Sequence, residues 1–369
     1  MFGMEIGIIG IPKSGKTTIF NALTKGNAET AAYAPSGLQP NIGVAKVEDG
    51  RVRTLSEMYK PEKTTPAEVK YIDIAVAPGD TGKKGSFSGQ FLTYLGRVDA
   101  IIHVVRAFDD ENVPHPEIKI DPERDINTIN LELAFSDLVT IERRLKRIEE
   151  SFKSANQQER EKNAKEQALL LKIKEELENE HPIRELQLTD EEKQLIRNYS
   201  FLTIKPLLIL LNIGENQLKQ ADTLEKDLLA RHSGQYSNAA VLCGKLEMEL
   251  TQLNNEEAAE FRKDLNITEA ALDRVIRLSY ALLGQISFFT SGEDEVKAWT
   301  ISNNTTASKA AGKIHSDIER GFIRAEVISF QDLIDSGNMT VAKKKGLLRL
   351  EGKDYIVKDG DIINFLFNV

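Results

Sequence analysis

Cysteine is all but absent. Cys243 stands alone among 369 residues, so no internal disulfide can form and no CxxC pair is available to hold a metal. Missing too is any apolar run of the ~18 residues that a membrane span requires, and the opening MFGMEIGIIGIPKSGK has no charged region ahead of its short apolar stretch. Positive charge is not in excess either. The formal net charge of −9 rules out a surface that is basic throughout and leaves any nucleic-acid contact to a local patch. Neither an aromatic stacking stripe nor an RNA-binding motif is visible. A soluble, cytoplasmic, monomeric protein without membrane contact is expected, and 41% hydrophobic residues are enough to fill two or three packed cores.

Against these absences stands one dense motif. EIGIIG (5–10) is a β-branched run suited to a buried strand, and KTTIFNALTK (16–25) has the spacing of an amphipathic helix. The loop between them, GIPKSGKT, matches GxxxxGK[ST] at Gly10, Gly15, Lys16 and Thr17. Glycine lets backbone amides turn inward around a phosphate chain, Lys16 carries a point charge to the β and γ phosphates, and the Thr17 hydroxyl can ligate magnesium (Mg2+). The helix start adds partial positive charge at the same place. Lys13, Ser14 and Thr18 complete the expected phosphate contacts. KYIDIA (70–75) is a second apolar strand and supplies Asp73, a carboxylate that can hold the metal. DAIIHVVRAF (99–108) and KPLLILLN (205–212) are further buried strands, so the fold class is α/β with a parallel-rich sheet and the ligand at its C-terminal edge.

These motifs leave kinase, transport ATPase and switch GTPase open. Guanine-reading proteins carry NKxD after such a strand, whereas this chain has NIGE, Asn212 to Glu215. Ile213 replaces the lysine and the longer Glu215 replaces the aspartate, which misplaces a guanine-reading fork. The alternative is that NIGE is only a strand-to-loop turn.

Further along, Leu138, Ile141, Leu145, Ile148 and Phe152 repeat at 3,4,3,4 spacing, and Leu170, Ile173 and Leu177 do so again after a polar stretch. Two helices joined by a polar tip are expected to pair antiparallel as an arm inserted into the nucleotide domain. After GQISFFTSG the pattern changes to short strands about one helix, the signature of a β-grasp module. The expected domains are 1–130 with 202–283 (nucleotide binding), 131–201 (arm) and 284–369 (β-grasp). Lys309, Lys313, Arg320, Arg324 and the run Lys343 to Lys345 offer cations to phosphates, although nearby acids roughly cancel them.

GIPKSGKTTIFNALT, FLTYLGRVDAIIHVVRAF, DPERDINTINLELAFSDL, FIRAEVISFQDLI and RLEGKDYIVKDGDIINFLFNV follow one another in an order that resembles the YchF, or Obg-like ATPase, family over nearly the whole chain. The resemblance implies a P-loop switch protein that prefers ATP to GTP and engages the ribosome or RNA through its arm and a C-terminal TGS domain. It places Asn212, Ile213 and Glu215 at an adenine pocket, and Cys243, Gly244 and Lys245 (CGK) on the loop that closes over the base. It also gives His115 a part in hydrolysis, a role suited to a group that titrates near neutrality.

Three positions depart from the family pattern. Val76 stands where the family has the glycine of DIAG, Gly37 where a threonine binds magnesium, with Ser36 beside it, and Lys13 where the P-loop has an asparagine. Ala77 falls where the family has a hydrophobic residue and other GTPases orient water with glutamine, so no side chain there can position water. Intact binding with slow ATP hydrolysis is therefore expected, the alternative being a non-catalytic adaptor that nucleotide merely stabilises.

Overall fold

A computed structural model describes residues 5–25, 29–30, 40–74, 89–115, 119–152, 156–264 and 270–368. Its strands in chain order are β1 (Glu5–Ile9), β2 (Glu29–Thr30), β3 (Asn41–Lys46), β4 (Lys63–Thr65), β5 (Glu68–Asp73), β6 (Ala100–Arg106), β7 (Leu207–Asn212), β8 (Ser237–Leu242), β9 (Gln285–Ser291), β10 (Glu295–Ser302), β11 (Phe322–Ser329), β12 (Arg349–Glu351) and β13 (Asp361–Phe367). Every residue of AIIHVVR in β6 and of LLILLN in β7 is buried. Runs apolar on both faces are what the interior of a parallel sheet demands. They lie in a sheet of order β2-β3-β5-β1-β6-β7-β8, in which β1, β6, β7 and β8 pair in parallel. Parallel pairing brings the residues that follow Ile9, Arg106, Asn212 and Leu242 to one edge of the sheet.

Beside the sheet runs the 30-residue helix Pro122–Ser151, capped by the Asp121 side chain, which accepts from Arg124 N, with proline in its first turn. Its first half sends Ile126, Ile129 and Leu133 into the core of the nucleotide domain, and its second half sends Ile141 and Ile148 into the arm's own core. The expected domain border at 130–131 falls inside this helix. The returning helix Gln157–Glu178 packs Leu170, Ile173 and Leu177 into the same arm core. Cross-links from Glu142 to Lys174, Arg144 to Glu166 and Ser151 to Asn163 run in opposite directions along the two helices, so they are antiparallel.

The second sheet has the order β12-β11-β13-β9-β10-β4 and wraps the helix Ala307–Ile314, whose Ala307, Ala310 and Ala311 meet Phe288, Val327 and Phe365. A mixed sheet gripping one helix is the β-grasp arrangement. Its outer strand β4 comes from early in the chain, pairing Lys63 with Glu295 in parallel, and the Thr65 hydroxyl donates to Glu295 at 2.6 Å. Val44–Lys70 and Asp273–Val369 accordingly form one compact unit, and Met4–Gly43 with Tyr71–Leu272 the other.

His103, in the middle of β6, is fully buried, and neither ring nitrogen has a partner among the described residues. Burial, aided by the nearby His232, pushes its pKa down to about 3. Between pH 6.5 and 3 the unfolded chain therefore binds a proton that the native protein refuses, so this residue withdraws stability as pH falls. His103→Leu is expected to be at least as stable as the parent at pH 7.5. Its advantage should grow by up to about 1.4 kcal/mol per pH unit below 6.5, as read by urea melts at pH 7.5 and 5. Parallel stability curves for the two proteins would contradict this account.

Candidate functional site

The loop leaving β1 is built around two glycines. A Cβ on Gly10 would lie 2.3 Å from the Val104 carbonyl oxygen, and one on Gly15 would lie 2.2 Å from Asn212 Nδ2. Gly15 also has φ of +92°, in the left-handed region. It caps the helix Lys16–Leu23 without a side chain, and no acidic residue follows in the first turn, so the first amides stay open to an anion. Ser14 is fully buried and its hydroxyl has no partner among the described residues.

Thr17 donates its hydroxyl to Asp73 Oδ2 at 3.0 Å. Asp73 itself is buried, and its second oxygen, Oδ1, has no partner among the described residues. Leaving a carboxylate oxygen buried and unbonded costs free energy, which a cation at this point would recover. Burial lowers the Lys16 ammonium below the usual lysine range, an effect that the Asp73 charge opposes. Lysine, hydroxyl and carboxylate thus form one cluster at the helix start. Lys13 is exposed, with φ of +65°, and Thr18 is half-buried.

Asn212 joins two loops. Its Nδ2 donates to the Ser14 carbonyl at 3.0 Å, and its Oδ1 accepts from Gly244 N at 2.9 Å. Beyond it, Ile213 and Cys243 are 2% and 3% exposed and pack in the core, so their side chains do not face an open pocket. Burial pushes the Cys243 thiol upward. Glu215 is open to solvent, and its carboxylate meets Lys245 Nζ at 2.9 Å. Phe108 approaches both loops, since Cβ atoms on Gly15 and Gly214 would lie 3.9 and 3.5 Å from it. The guanidinium of buried Arg106 lies 4.3 Å from the centre of the Phe108 ring and donates to the carbonyls of Phe108 and Val113.

The comparisons with known proteins bear on this geometry. The 50S ribosome-binding GTPase model matches residues 5–136, and the C-terminal YchF GTPase model, described as a protein of unknown function, matches 285–368. The ribosome-binding ATPase YchF of Bacillus subtilis is 42% identical over 99% of this chain and all of that protein, and its Haemophilus influenzae counterpart is 43% identical over the full length of both. The chain belongs to the YchF family. The solved structure of the Schizosaccharomyces pombe YchF GTPase superposes with a TM-score of 0.87 at 33% identity, covering 99% of this chain and 98% of that one.

Among the residues expected to act, Gly10, Ser14, Gly15, Lys16, Thr17, Asp73, Asn212 and Gly244 are brought together by direct contacts or by shared loops. The side chain of His115 is 5% exposed and its Nε2 lies 3.2 Å from Asp125 Oδ2, at the start of the helix Pro122–Ser151. Ser36, Gly37, Val76 and Ala77 lie outside the described residues. Sequence reasoning missed Phe108 and Arg106, which could have been suspected from RAF at the end of a strand that already points at the phosphate loop. Lys245 lies in the CGK run expected to close over the base, but its pairing with Glu215 was not anticipated.

Proposed function

We propose that this chain is a ribosome-associated P-loop ATPase of the YchF type, cytoplasmic and slow to turn over. The observation that supports the reading most is the pairing of Thr17 with Asp73 beside Lys16, under a loop whose glycines leave room for phosphate oxygens. Asp73 and Thr17 would hold a magnesium ion, which would neutralise phosphate charge when bound. The amides at the start of Lys16–Leu23 and the Lys16 ammonium bind the phosphates, while Glu215, steadied by Lys245, lies on the base side. Association with the ribosome follows the names of the bacterial relatives. The yeast relative is named a GTPase, so GTP is the competing ligand to test.

Calorimetric titration with ATP, ADP and GTP, with and without magnesium, tests the assignment. ATP should bind more tightly than GTP in the parent. Asp73→Asn should abolish the magnesium dependence, leaving a residual affinity set by Lys16 and the amides. His115, proposed as the catalytic group once released from Asp125, is expected to lower single-turnover hydrolysis by about a hundredfold when replaced by alanine, with ATP affinity unchanged. No measurable affinity for either triphosphate would refute the assignment.

A further inference from the structure

A cavity of about 470 Å³ lies where the helices Pro122–Ser151 and Gln157–Glu178 and the single helical turn Ile183–Glu185 meet the first residues of β7 and β8. Leu207 on its wall opens β7, whereas Asn212 closes the same strand beside the phosphate loop, so about 16 Å of strand separates the two places. The cavity is not part of the nucleotide site.

Arg184 on its wall is 7% exposed, and its Nη1 donates to the carbonyls of Thr203 and Lys205 at 3.1 and 3.3 Å. Nε and Nη2 have no acceptor among the described residues. Asp137, whose charge the guanidinium feels, is already engaged, accepting from Leu202 N, Thr203 N and the Thr203 hydroxyl. Burial pulls the Arg184 pKa down to about 10, against the opposing charges of Glu185 and Asp137. A buried cation without a paired anion costs free energy that a bound anion would recover. The other basic groups of the lining are taken: Arg231 and His232 by Glu123, and His181 by Glu176.

We propose that this cavity binds a small organic monocarboxylate with an aliphatic body and a hydroxyl or amino group beside the carboxylate. The Nε–Nη2 edge of a guanidinium offers two parallel N–H bonds to the two oxygens of one carboxylate. Asn130 Oδ1, on the same wall, is buried without a donor and calls for one from the ligand. Leu133, Leu177, Leu207 and Ile209 supply aliphatic surface. A phosphate dianion fits less well, since Glu180 and Glu185 also line the cavity and one unpaired cation faces them. The proposal is independent of the nucleotide assignment.

The test is an NMR titration of the full chain, labelled at its leucine and isoleucine methyls, with hydroxyisocaproate and with free leucine. Isocaproate, which lacks the donor, isocaproamide, which lacks the charge, and inorganic phosphate serve as comparisons. At least one of the first two should shift the methyls of Leu133, Leu177, Leu207 and Ile209 saturably, with a Kd of about 1 mM or below. Isocaproate should bind several-fold more weakly, and the amide and phosphate should give no saturable shift at these methyls. Arg184→Lys keeps the charge but loses the fork, and it should weaken binding at least tenfold. Because Arg184 also holds two backbone carbonyls, a second variant, Ala134→Phe, fills the cavity from its wall without touching the guanidinium and should abolish binding. The comparison of acid with amide in the parent needs no variant at all. Absence of saturable shifts with both hydroxyisocaproate and leucine would overturn the proposal. So would equal affinity for the amide, tighter binding of phosphate, or unchanged affinity in either folded variant.

Discussion

Lys16→Met is expected to lower kcat/KM for ATP by a hundred- to a thousandfold, about 3–4 kcal/mol of transition-state stabilisation. Methionine keeps the unbranched stem and its packing, so the helix Lys16–Leu23 should form as before and the Tm should change little. What disappears is a buried cation at the helix start that feels the charge of Asp73. In the parent, burial has already weakened the hydration of this ammonium, so its charge is available to phosphate oxygens rather than to water. The loss should appear in both binding and turnover, because ground state and transition state each place negative charge at this point. Calorimetry and single-turnover hydrolysis of the variant decide the matter. An unchanged ATP affinity would mean that the nucleotide does not use this loop.

The second large effect concerns Gly15 and Asn212, and it comes from a cycle rather than from one variant. Gly15→Ala places a methyl 2.2 Å from Asn212 Nδ2 on a residue with φ of +92°, and it should cost about 2–4 kcal/mol of stability and more than tenfold in ATP affinity. Asn212→Ala removes the donor to Ser14 O and the acceptor for Gly244 N, leaving two buried backbone groups unpaired at a cost of about 2–5 kcal/mol. In the double variant the alanine methyl enters the space that the carboxamide vacated. Its destabilisation should therefore fall short of the sum by about 1 kcal/mol or more. Urea denaturation of the four proteins measures the coupling. Strict additivity would show that the loop relieves the collision by moving away from β7.

Much of this was legible in the residues themselves. The strands β1, β6 and β7 announce themselves because a parallel interior accepts only unbroken apolar runs, and the P-loop follows because phosphate, glycine and helix start constrain one another. The arm's 3,4 spacing marks the pairing of its helices. Where that first helix begins is harder to see. From Ile126 to Leu133 the seam turns toward the sheet, and a single helix serving two cores in succession shows no single stripe.

The base side was the least readable. Ile213 and Cys243 align with an adenine pocket, yet their side chains point into the core, and the open groups there are Glu215 and Lys245. An alignment identifies a backbone position, whereas the direction of a side chain depends on packing between distant segments. His115 illustrates the same limit: its neighbouring prolines suggest an exposed loop, while Asp125, ten residues on, draws the ring inward. Asn212 reads as a base contact in the motif and acts as a brace between Ser14 and Gly244 in the structure.

The origin of β4 has a consequence for synthesis. Lys63 to Thr65 emerge from the ribosome long before Glu295 to Lys297, the segment they pair with, is translated. Until then the three residues of β4 wait without their strand partner, and the C-terminal module cannot close its outer border from its own sequence. A fragment beginning at residue 284 would display the bare rim of β10, an edge open to pairing with another strand, so the module reaches its finished form only with the earlier segment in place.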